Sequence, residues 1–319
     1  MAQHFLLSAK ARTLSLRQVF RMGEDEAYGL FCEMRWPETD GGAVCPRCGC
    51  ADAYFLKTRR KYKCTACYHQ YSVTSGTIFA SRKLSFTDLL AAIVLFVNGA
   101  KGLSALQASR DLDVQYKTAF VLFHKLREAM AREFATTKLN GTVEIDGGYF
   151  GGYVKPENKK ADRKDRRLKA NTSGKRQCVV IMRERKGRSL PFVVRHEGDA
   201  VPMVRDHVGT LATIHADEGT GWDPLHAGWD THRVNHSVQF MDKGVCTNQA
   251  ESYFSRLRRM EIGTHHHIAG RYLYAYAGEA AWREDMRRTS NGDQAMTLTG
   301  VAMASRVSRD WKGYWQRSA

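Results

Sequence analysis

The sequence has no long hydrophobic run. Its longest uncharged apolar stretch, Leu89 to Val97, has nine residues, whereas a membrane-spanning helix needs about 20. The first thirty residues also lack the apolar core of a secretory signal peptide. We therefore expect a protein that neither spans a membrane nor is secreted. We find no internal repeats.

Acidic residues are scarce relative to basic ones, with 33 Asp and Glu against 49 Lys and Arg and a formal net charge of +16. Residues 43–81 contain six basic residues and one acidic residue. Residues 82–140 contain nine basic and five acidic residues, and residues 155–176 contain ten basic and three acidic residues. The sign of the charge favours a polyanionic partner, which is DNA, RNA or an anionic membrane surface, and its concentration in patches favours nucleic-acid binding over a uniformly solvated surface. The length of 319 residues suggests about two domains.

Five of the eight cysteines lie between positions 45 and 67. Two Cys-x2-Cys pairs separated by fifteen residues have the spacing of a tetrahedral four-thiolate zinc site. The predicted ligands are Cys45, Cys48, Cys64 and Cys67. Cys50 and His69 are alternative ligands whose spacing fits less well. Because four thiolates leave no open coordination position, we predict a structural Zn²⁺ in a small zinc ribbon rather than a catalytic ion.

Residues 83–135 have the apolar periodicity of helices. A helix over 86–98, a short helix over 104–112 and a longer helix over 115–133 resemble a helix-turn-helix arrangement. Gln115 and Lys117 lie at the start of the third helix, where base and phosphate contacts are usual. A plain three-helix bundle that does not contact DNA is the alternative.

From residue 141 the pattern changes to strands followed by helices, which predicts one mixed α/β domain. Strands are expected over 142–146, 177–182, 190–195 and 211–215, and helices over 201–208, 248–260 and 270–288. The basic stretch 155–176 has no apolar periodicity and is expected to be a mobile loop.

Two aspartates, Asp146 and Asp217, come at predicted strand ends, and Glu251 lies on a predicted helix. Such a set of hard oxygen ligands can hold two Mg²⁺ ions for phosphoryl transfer. Pairing of these acids with arginines is the alternative. Spacing alone also leaves open four other acids in apparent loops or helix starts, Asp199, Glu218, Asp223 and Asp230.

Several segments together resemble a group of bacterial insertion-sequence transposases. The zinc-ribbon segment of that group is similar to Cys-Pro-Arg-Cys-Gly at 45–49, Tyr-Lys-Cys-Thr-Ala-Cys at 62–67 and Ser-Gly-Thr-Ile-Phe at 75–79. Ile-Asp-Gly-Gly-Tyr-Phe-Gly-Gly at 145–152 resembles its first-aspartate motif. Val-Asn-His-Ser at 234–237, the segment 247–259, Gly263 and the histidines 265–267 resemble the region around its third acid.

The resemblance implies a DDE transposase with a ribonuclease-H-like catalytic core, in which Asp146, Asp217 and Glu251 are the three catalytic acids and Mg²⁺ ligands. The residue after the first aspartate is commonly acidic in the group, and Gly147 at that place implies the loss of one nearby charge. Asn248, one turn before Glu251, is expected to assist at the metal or phosphate. Arg258 stands where the group often has lysine and can hold a phosphate by a bidentate contact.

We therefore predict an α/β protein with five segments: a helical segment 1–42, a zinc ribbon 43–81, a helix-turn-helix-like segment 82–140, a ribonuclease-H-like catalytic domain 141–290 with the basic insertion 155–176, and a C-terminal tail 291–319. The predicted DNA contacts are polar or basic residues of these segments. They are Arg59, Arg60, Lys61, Gln115, Lys117, Lys159, Lys160, Arg163, Lys164, Arg166, Arg167, Lys169, Asn248 and Arg258.

The expected function is Mg²⁺-dependent cleavage and strand transfer of double-stranded DNA at transposon terminal inverted repeats and a target. Two Mg²⁺ or Mn²⁺ ions and one structural Zn²⁺ are the expected cofactors. A homo-oligomer in the synaptic complex and a bacterial cytoplasmic, nucleoid-associated location are also expected. The alternatives are a zinc-ribbon transcriptional regulator with an inert α/β domain and a ribonuclease-H-like nuclease without strand transfer.

Overall fold

The computed structural model of the chain describes residues 4–152, 157–165, 171, 174–234 and 245–317. The chain divides into two compact units, the first made of Met1–Arg132 with Met286–Ala319 and the second of Glu133–Asp285. The finer boundaries of the five predicted segments stay predictions. No helix within the described ranges is long and apolar enough to cross a membrane.

Helices predominate in the first unit, and strands and helices are mixed in the second. The α-helices are α1 Leu16–Arg35, α2 Phe86–Asn98, α3 Ala105–Asp111, α4 Tyr116–Ala131, α5 Val201–His207, α6 Asn248–Met260, α7 Leu273–Asp285 and α8 Asn291–Ala304. The strands are β1 Ala53–Leu56, β2 Lys61–Cys64, β3 Gln70–Tyr71, β4 Thr142–Phe150, β5 Gln177–Glu184, β6 Ser189–Val194, β7 Thr213–Asp217 and β8 Asp230–Val234.

The helices of the first unit form a bundle around α2. Ser15 begins α1 with a capping box to Gln18, and Gly23 interrupts that helix with a φ of 77°. Nine of the thirteen residues of α2 are buried, because α1 and α8 pack against it. The short α3 and the longer α4 contact each other across residues 112–115, which gives a helix-turn-helix-like arrangement.

The small sheet of the first unit has the order β1-β2-β3 with antiparallel pairs. Its aromatic side chains pack together around Tyr62, whose ring lies 5.0 Å from that of Phe55 and 5.5 Å from that of Tyr71. The Tyr62 hydroxyl also bonds to that of Tyr28 on α1 at 2.8 Å. These contacts join the ribbon to the helix that precedes it.

The second unit is built on a five-stranded sheet with the order β6-β5-β4-β7-β8. β4, β5 and β6 are antiparallel neighbours, and β7 and β8 run parallel to β4. This mixed arrangement, with the first strand at the centre, is the ribonuclease-H-like sheet that the resemblance implies. α6 packs on β4 and β5, and α7 packs on α6 and β6.

Most predicted elements are confirmed, and the bounds of α2 and α6 agree with the prediction. The prediction that Asp146 ends its strand is wrong, because β4 continues through Gly147 and Gly148 to Phe150, paired with β5. Two elements of the structure were not predicted from the sequence. One is the edge strand β8, and the other is α8, which lies in the segment predicted to be a tail.

Candidate metal and DNA-processing site

The four predicted zinc ligands form one cluster in the first unit. The sulfur atoms of Cys45, Cys48, Cys64 and Cys67 all lie within 4.8 Å of one another. Cys45 and Cys67 are 3.6 Å apart and Cys48 and Cys64 3.5 Å apart. Tetrahedral Zn–S bonds of about 2.3 Å place the sulfur atoms about 3.8 Å apart, so the cluster fits a zinc ion.

Two similar turns present these thiols. The amide of Gly49 donates to the Cys45 carbonyl at 2.9 Å, and the amide of Tyr68 donates to the Cys64 carbonyl at 3.1 Å. Gly49 and Tyr68 both have positive φ, at 75° and 56°, so the second turn adopts without glycine a conformation that glycine normally supplies. Burial opposes ionisation of Cys45, but the amides of Arg47 and Cys48 lower its pKa to about 7.

The alternative ligands Cys50 and His69 lie outside the four-cysteine cluster. The Cys50 sulfur contacts the Asp52 carbonyl at 3.6 Å. The His69 ring stacks on Tyr71, with centroids 6.1 Å apart. Neither side chain is therefore part of the four-cysteine cluster.

In the second unit, Asp146 and Asp217 lie on neighbouring parallel strands. The pairing of Ile145 with Ala216 places the two aspartates side by side, because parallel strands in register keep equivalent residues adjacent. Asp217 ends β7, and its Oδ1 accepts the Gly219 amide at 3.1 Å. The Oδ1 atom of Asp146 accepts the Gly147 amide at 2.7 Å.

Glu251 lies in the first turn of α6 and shares a cavity of about 490 Å³ with Asp146. Arg258, two turns further along the helix, also lines this cavity. Asn248 begins α6 and is exposed, one turn before Glu251. Strand β4 and helix α6 thus bring the first and third predicted acids to one concave surface with an arginine beside them.

A buried carboxylate that was not among the predicted site residues connects β4 to α6. Glu144 is fully buried, and its Oε2 accepts the amides of Gln249 and Ala250 at 2.8 and 3.2 Å. Its Oε1 accepts Arg185 Nε at 2.8 Å. A carboxylate at a helix N-terminus is favourable because the first amides have no partner within the helix. Glu144 therefore fixes the start of the Glu251 helix to the strand that carries Asp146, two residues away.

Glu197 is a fourth acid near the site, also missed from the sequence. A Cβ atom on Gly147 would overlap Glu197 Cγ and lie 2.6 Å from its Oε1. The place of a side chain at 147 is thus filled by the carboxyl group of residue 197. The expectation that Gly147 removes a nearby charge needs this correction, because Glu197 supplies a carboxylate there. Glu197 has no motif around it, and only the fold brings it to Gly147.

The electrostatics of the four acids favour a bound cation. Burial raises the pKa of Asp146 to about 7, the Gly147 amide opposes that rise, and the nearby Asp217, Glu197 and Glu251 add to it. Burial and Asp217 also raise the pKa of Glu197. Carboxylates crowded in this way are hard ligands suited to Mg²⁺ or Mn²⁺.

The spacing of the predicted triad can also be compared with the size of a metal site. Among the described residues, the zinc cysteines are the group whose ligand atoms all lie within 4.8 Å of one another. The three carboxylates of the triad are therefore more widely spread.

The predicted DNA contacts lie in three separate segments. Arg59 and Lys61 are exposed in the ribbon, but Arg60 is already paired with Asp25 and, at 3.7 Å, with Glu24. The helical pair Gln115 and Lys117 is exposed at the start of α4, and Arg258 is exposed on α6. Four residues of the basic insertion are exposed, namely Lys159, Lys160, Arg163 and Lys164. Arg166, Arg167 and Lys169 lie outside the described residues, as do positions 235–237 of the motif at 234–237.

The alternative acids and the histidines lie in different surroundings. Asp223 contacts Arg233 at 3.3 Å, Asp230 contacts His232 at 3.2 Å, and Asp199 caps the turn at His196, while Glu218 is exposed. The ring of His265 packs edge-on against Tyr276 at 4.6 Å, and His266 and His267 are exposed.

Comparisons with known proteins agree with the resemblance seen in the sequence. Residues 138–285 match the family model of the ISXO2-like transposase domain of the IS1595 group. Residues 22–70 match the model of the transposase zinc-ribbon domain of the same group, and the four-cysteine cluster is accordingly a structural zinc site. No curated protein matches the chain.

Among solved structures, the crystal structure of the Mos1 strand transfer complex is similar to 66% of this chain and 78% of that chain. The identity is 10% and the TM-score is 0.25.

Proposed function

We propose that this chain, which belongs to the insertion-sequence DDE transposases with an N-terminal zinc ribbon, cleaves DNA at transposon ends and joins the freed ends to target DNA. The observation that carries the proposal is the convergence of three other carboxylates on Asp146, whose pKa is raised to about 7 by burial first and also by these neighbouring acids. Such crowding is unfavourable without a cation, and DNA phosphates approach such a site together with one.

The residues have distinct proposed roles. Asp146, Asp217 and Glu251 would hold two Mg²⁺ or Mn²⁺ ions, with Asn248 beside them. When bound, these ions supply Lewis-acid activation of an oxygen nucleophile and stabilise the leaving oxygen. Arg258 lines the same cavity and can hold a non-bridging phosphate oxygen by a bidentate contact.

Two chemical steps follow from this arrangement. In the first, a water oxygen forms a bond to phosphorus, the bond from phosphorus to the 3′ oxygen breaks, and that oxygen leaves as a 3′ hydroxyl. In the second, the 3′ hydroxyl attacks a target phosphodiester and displaces its 3′ oxygen. Each step exchanges one P–O bond for another, so no oxidant or energy-rich cofactor is needed.

The basic segments would supply DNA affinity. The exposed residues Arg59, Lys61, Gln115 and Lys117 would contact the terminal inverted repeats. The basic insertion 155–176, including its predicted contacts 166, 167 and 169, would bind backbone phosphates and make the affinity depend on salt. Arg60 is expected to contribute less, because two carboxylates already neutralise it.

The test is strand cleavage on duplexes that carry the repeats flanking the gene, with Mg²⁺ and with EDTA. We expect Mg²⁺-dependent nicking by the wild-type protein and none by Asp146→Asn, with duplex affinity unchanged within about twofold. Glu218→Gln, an exposed acid next to Asp217, is the matched control and should cleave normally. Full cleavage by Asp146→Asn would refute the assignment.

The same substrates separate the alternatives. A regulator with an inert α/β domain would bind the repeats and cut nothing. A nuclease without strand transfer would cut but give no joined product when a target plasmid is added. The oligomeric state in the synaptic complex and the cytoplasmic, nucleoid-associated location stay predictions.

A further inference from the structure

The first unit contains a pocket of about 530 Å³ that the proposed catalysis does not use. Its walls are the turn before α2, one face of α4 and the C-terminal segment 311–316. We call it the α4 pocket. Its volume lies within the range of about 300–1,000 Å³ that small-molecule and cofactor sites occupy.

Positive charge dominates the α4 pocket. Five cationic side chains line it and no acidic one does; the five are Arg82, Lys83, Lys117, Lys125 and Lys312. Two acids outside the lining act on these cations. Burial lowers the pKa of Lys125 and Glu128 partly offsets this, and burial lowers the pKa of Arg82 and Glu24 partly offsets that. Burial disfavours the charged form of a lysine, and no acid in the lining compensates. An anion that enters the pocket would therefore stabilise the charged Lys125.

The pocket also has aromatic walls from the C-terminal segment. Trp311 is held in place by stacking on His124, with centroids 4.1 Å apart and planes inclined by 19°. Tyr314 packs on Trp311 at 4.9 Å. Trp315 is 43% exposed, and its ring lies 5.2 Å from the Lys117 ammonium. The pocket thus has a fixed aromatic support and one accessible indole next to a cation.

We propose that the α4 pocket binds one unstacked nucleotide of a DNA single strand, whose base stacks on Trp315 while its flanking phosphates contact Lys117 and Lys312. Aromatic platforms beside basic side chains are the usual means by which proteins bind single strands, because every base has a stacking face and every linkage a charge. A bare phosphate would use the lysines but not the indole. A duplex, whose bases are already stacked, would not fill a concave pocket of this size.

The position of the pocket connects it to the proposed DNA contacts. Gln115 and Lys117, expected to contact the repeats from the start of α4, belong to its lining. A strand bound at α4 could therefore place an unpaired nucleotide in the pocket without leaving the helix. The inference rests on the proposed binding of transposon ends, and strand cleavage takes no part in its test.

The test is fluorescence anisotropy with the full chain, using a labelled 15-nucleotide single strand and the blunt duplex of the same sequence. We expect Trp315→Ala to weaken single-strand binding about 5- to 100-fold and duplex binding less than twofold. Trp315→Phe should restore most of the loss. Lys117→Ala should weaken single-strand binding and reduce its salt slope by about 0.7.

Two matched controls come from the same unit. Phe20→Ala removes an aromatic side chain that is 55% exposed on α1, and Lys10→Ala removes an exposed lysine; neither should change single-strand affinity. Thermal melting by circular dichroism checks that each variant folds. A 2-aminopurine base in the strand should be quenched by the wild-type protein and not by Trp315→Ala.

Three outcomes would overturn the inference. They are an unchanged single-strand affinity in Trp315→Ala, an equal loss of affinity for single strand and duplex in that variant, and tighter binding by the wild-type protein of a labelled RNA strand of the same sequence than of the DNA strand. Failure of the wild-type protein to cleave DNA would refute the proposed catalysis and leave these binding results interpretable.

Discussion

Removal of the Glu144 carboxylate should destabilise the second unit more than any single change at the three proposed catalytic acids. The side chain is fully buried, and it accepts the amides of Gln249 and Ala250 and the Arg185 guanidinium. Glu144→Ala leaves all three donors without this acceptor. Glu144→Gln keeps the shape and one accepting oxygen but removes the charge.

The contacts of Glu144 set the expected loss in the free energy of unfolding. Breaking a buried ion pair by removing one partner costs about 3–5 kcal/mol. The Arg185 side chain is 28% exposed, so water can solvate part of its charge and reduce that cost. The two amides at the start of α6 add about 1 kcal/mol each when they lose a charged acceptor. Together we expect Glu144→Ala to lower the free energy of unfolding by about 3–5 kcal/mol and Glu144→Gln by about 1–2 kcal/mol.

Urea denaturation followed by circular dichroism measures both values, with Glu218→Gln as the control expected to stay within about 0.5 kcal/mol of wild type. The second readout is Mg²⁺ affinity, measured as the concentration that gives half of the thermal shift. Glu144→Gln should raise that concentration because the first turn of α6, and Glu251 with it, is held less firmly to β4 once the anchoring charge is removed. A loss of less than about 1 kcal/mol in Glu144→Ala would refute the anchoring role.

Three further predictions concern other parts of the chain. Gly147→Asp should weaken Mg²⁺-induced stabilisation and unfold more easily than wild type, because its Cβ would overlap the Glu197 side chain. The double variant Gly147→Asp with Glu197→Gly should recover much of the lost stability. Equal stability of the single and double variants in urea would contradict this explanation. Cys64→Ser, at a fully buried sulfur, should lose bound zinc by elemental analysis and unfold the ribbon, whereas Cys50→Ser should keep the metal. Burial raises the pKa of Asp285 to about 6, although the hydrogen bonds from Ser189 oppose that rise. The folded state therefore binds this proton more tightly than the unfolded state, and the free energy of unfolding should fall by on the order of 2 kcal/mol as pH rises from about 4 to 6. In urea denaturation of Asp285→Asn, this part of the pH dependence should disappear.

Strong periodicity and fixed spacing were the most informative features of the sequence. The apolar α2 and the amphipathic α6 could be bounded from the sequence alone, and the Cys-x2-Cys pairs gave the zinc ligands. The sequence predicts too short a strand for β4 because glycines at 147 and 148 lower strand propensity. In the structure the Glu197 and Phe254 side chains fill the places where side chains at positions 147 and 148 would lie. Glycine is therefore needed at both positions because these neighbours come so close to the backbone, although the strand itself is continuous.

Other elements were missed because their patterns are weak. β8, with the sequence Asp-Thr-His-Arg-Val, is a mostly polar edge strand without clear alternation. α8 is rich in Ala, Gly and Thr, which gives it almost no amphipathic contrast, although it packs on α1, α2 and α4. Glu144 and Glu197 could not be identified either, because their contacts are distant in sequence. Glu144 accepts the amide of Gln249, about 100 positions away, and Glu197 contacts Gly147, 50 positions away.

The position of α8 has a consequence for how the chain folds during synthesis. The bundle of the first unit is completed by a helix translated only after the whole of the second unit. At about 5–20 residues per second, the faces of α1, α2 and α4 that α8 covers stay uncovered for roughly 10–30 s on the ribosome. The second unit, which is continuous in sequence, can meanwhile finish folding. Nascent chains that stop before residue 291 would therefore hold a complete five-stranded sheet but an unfinished helical bundle, and they should depend on chaperones more than the full-length chain does.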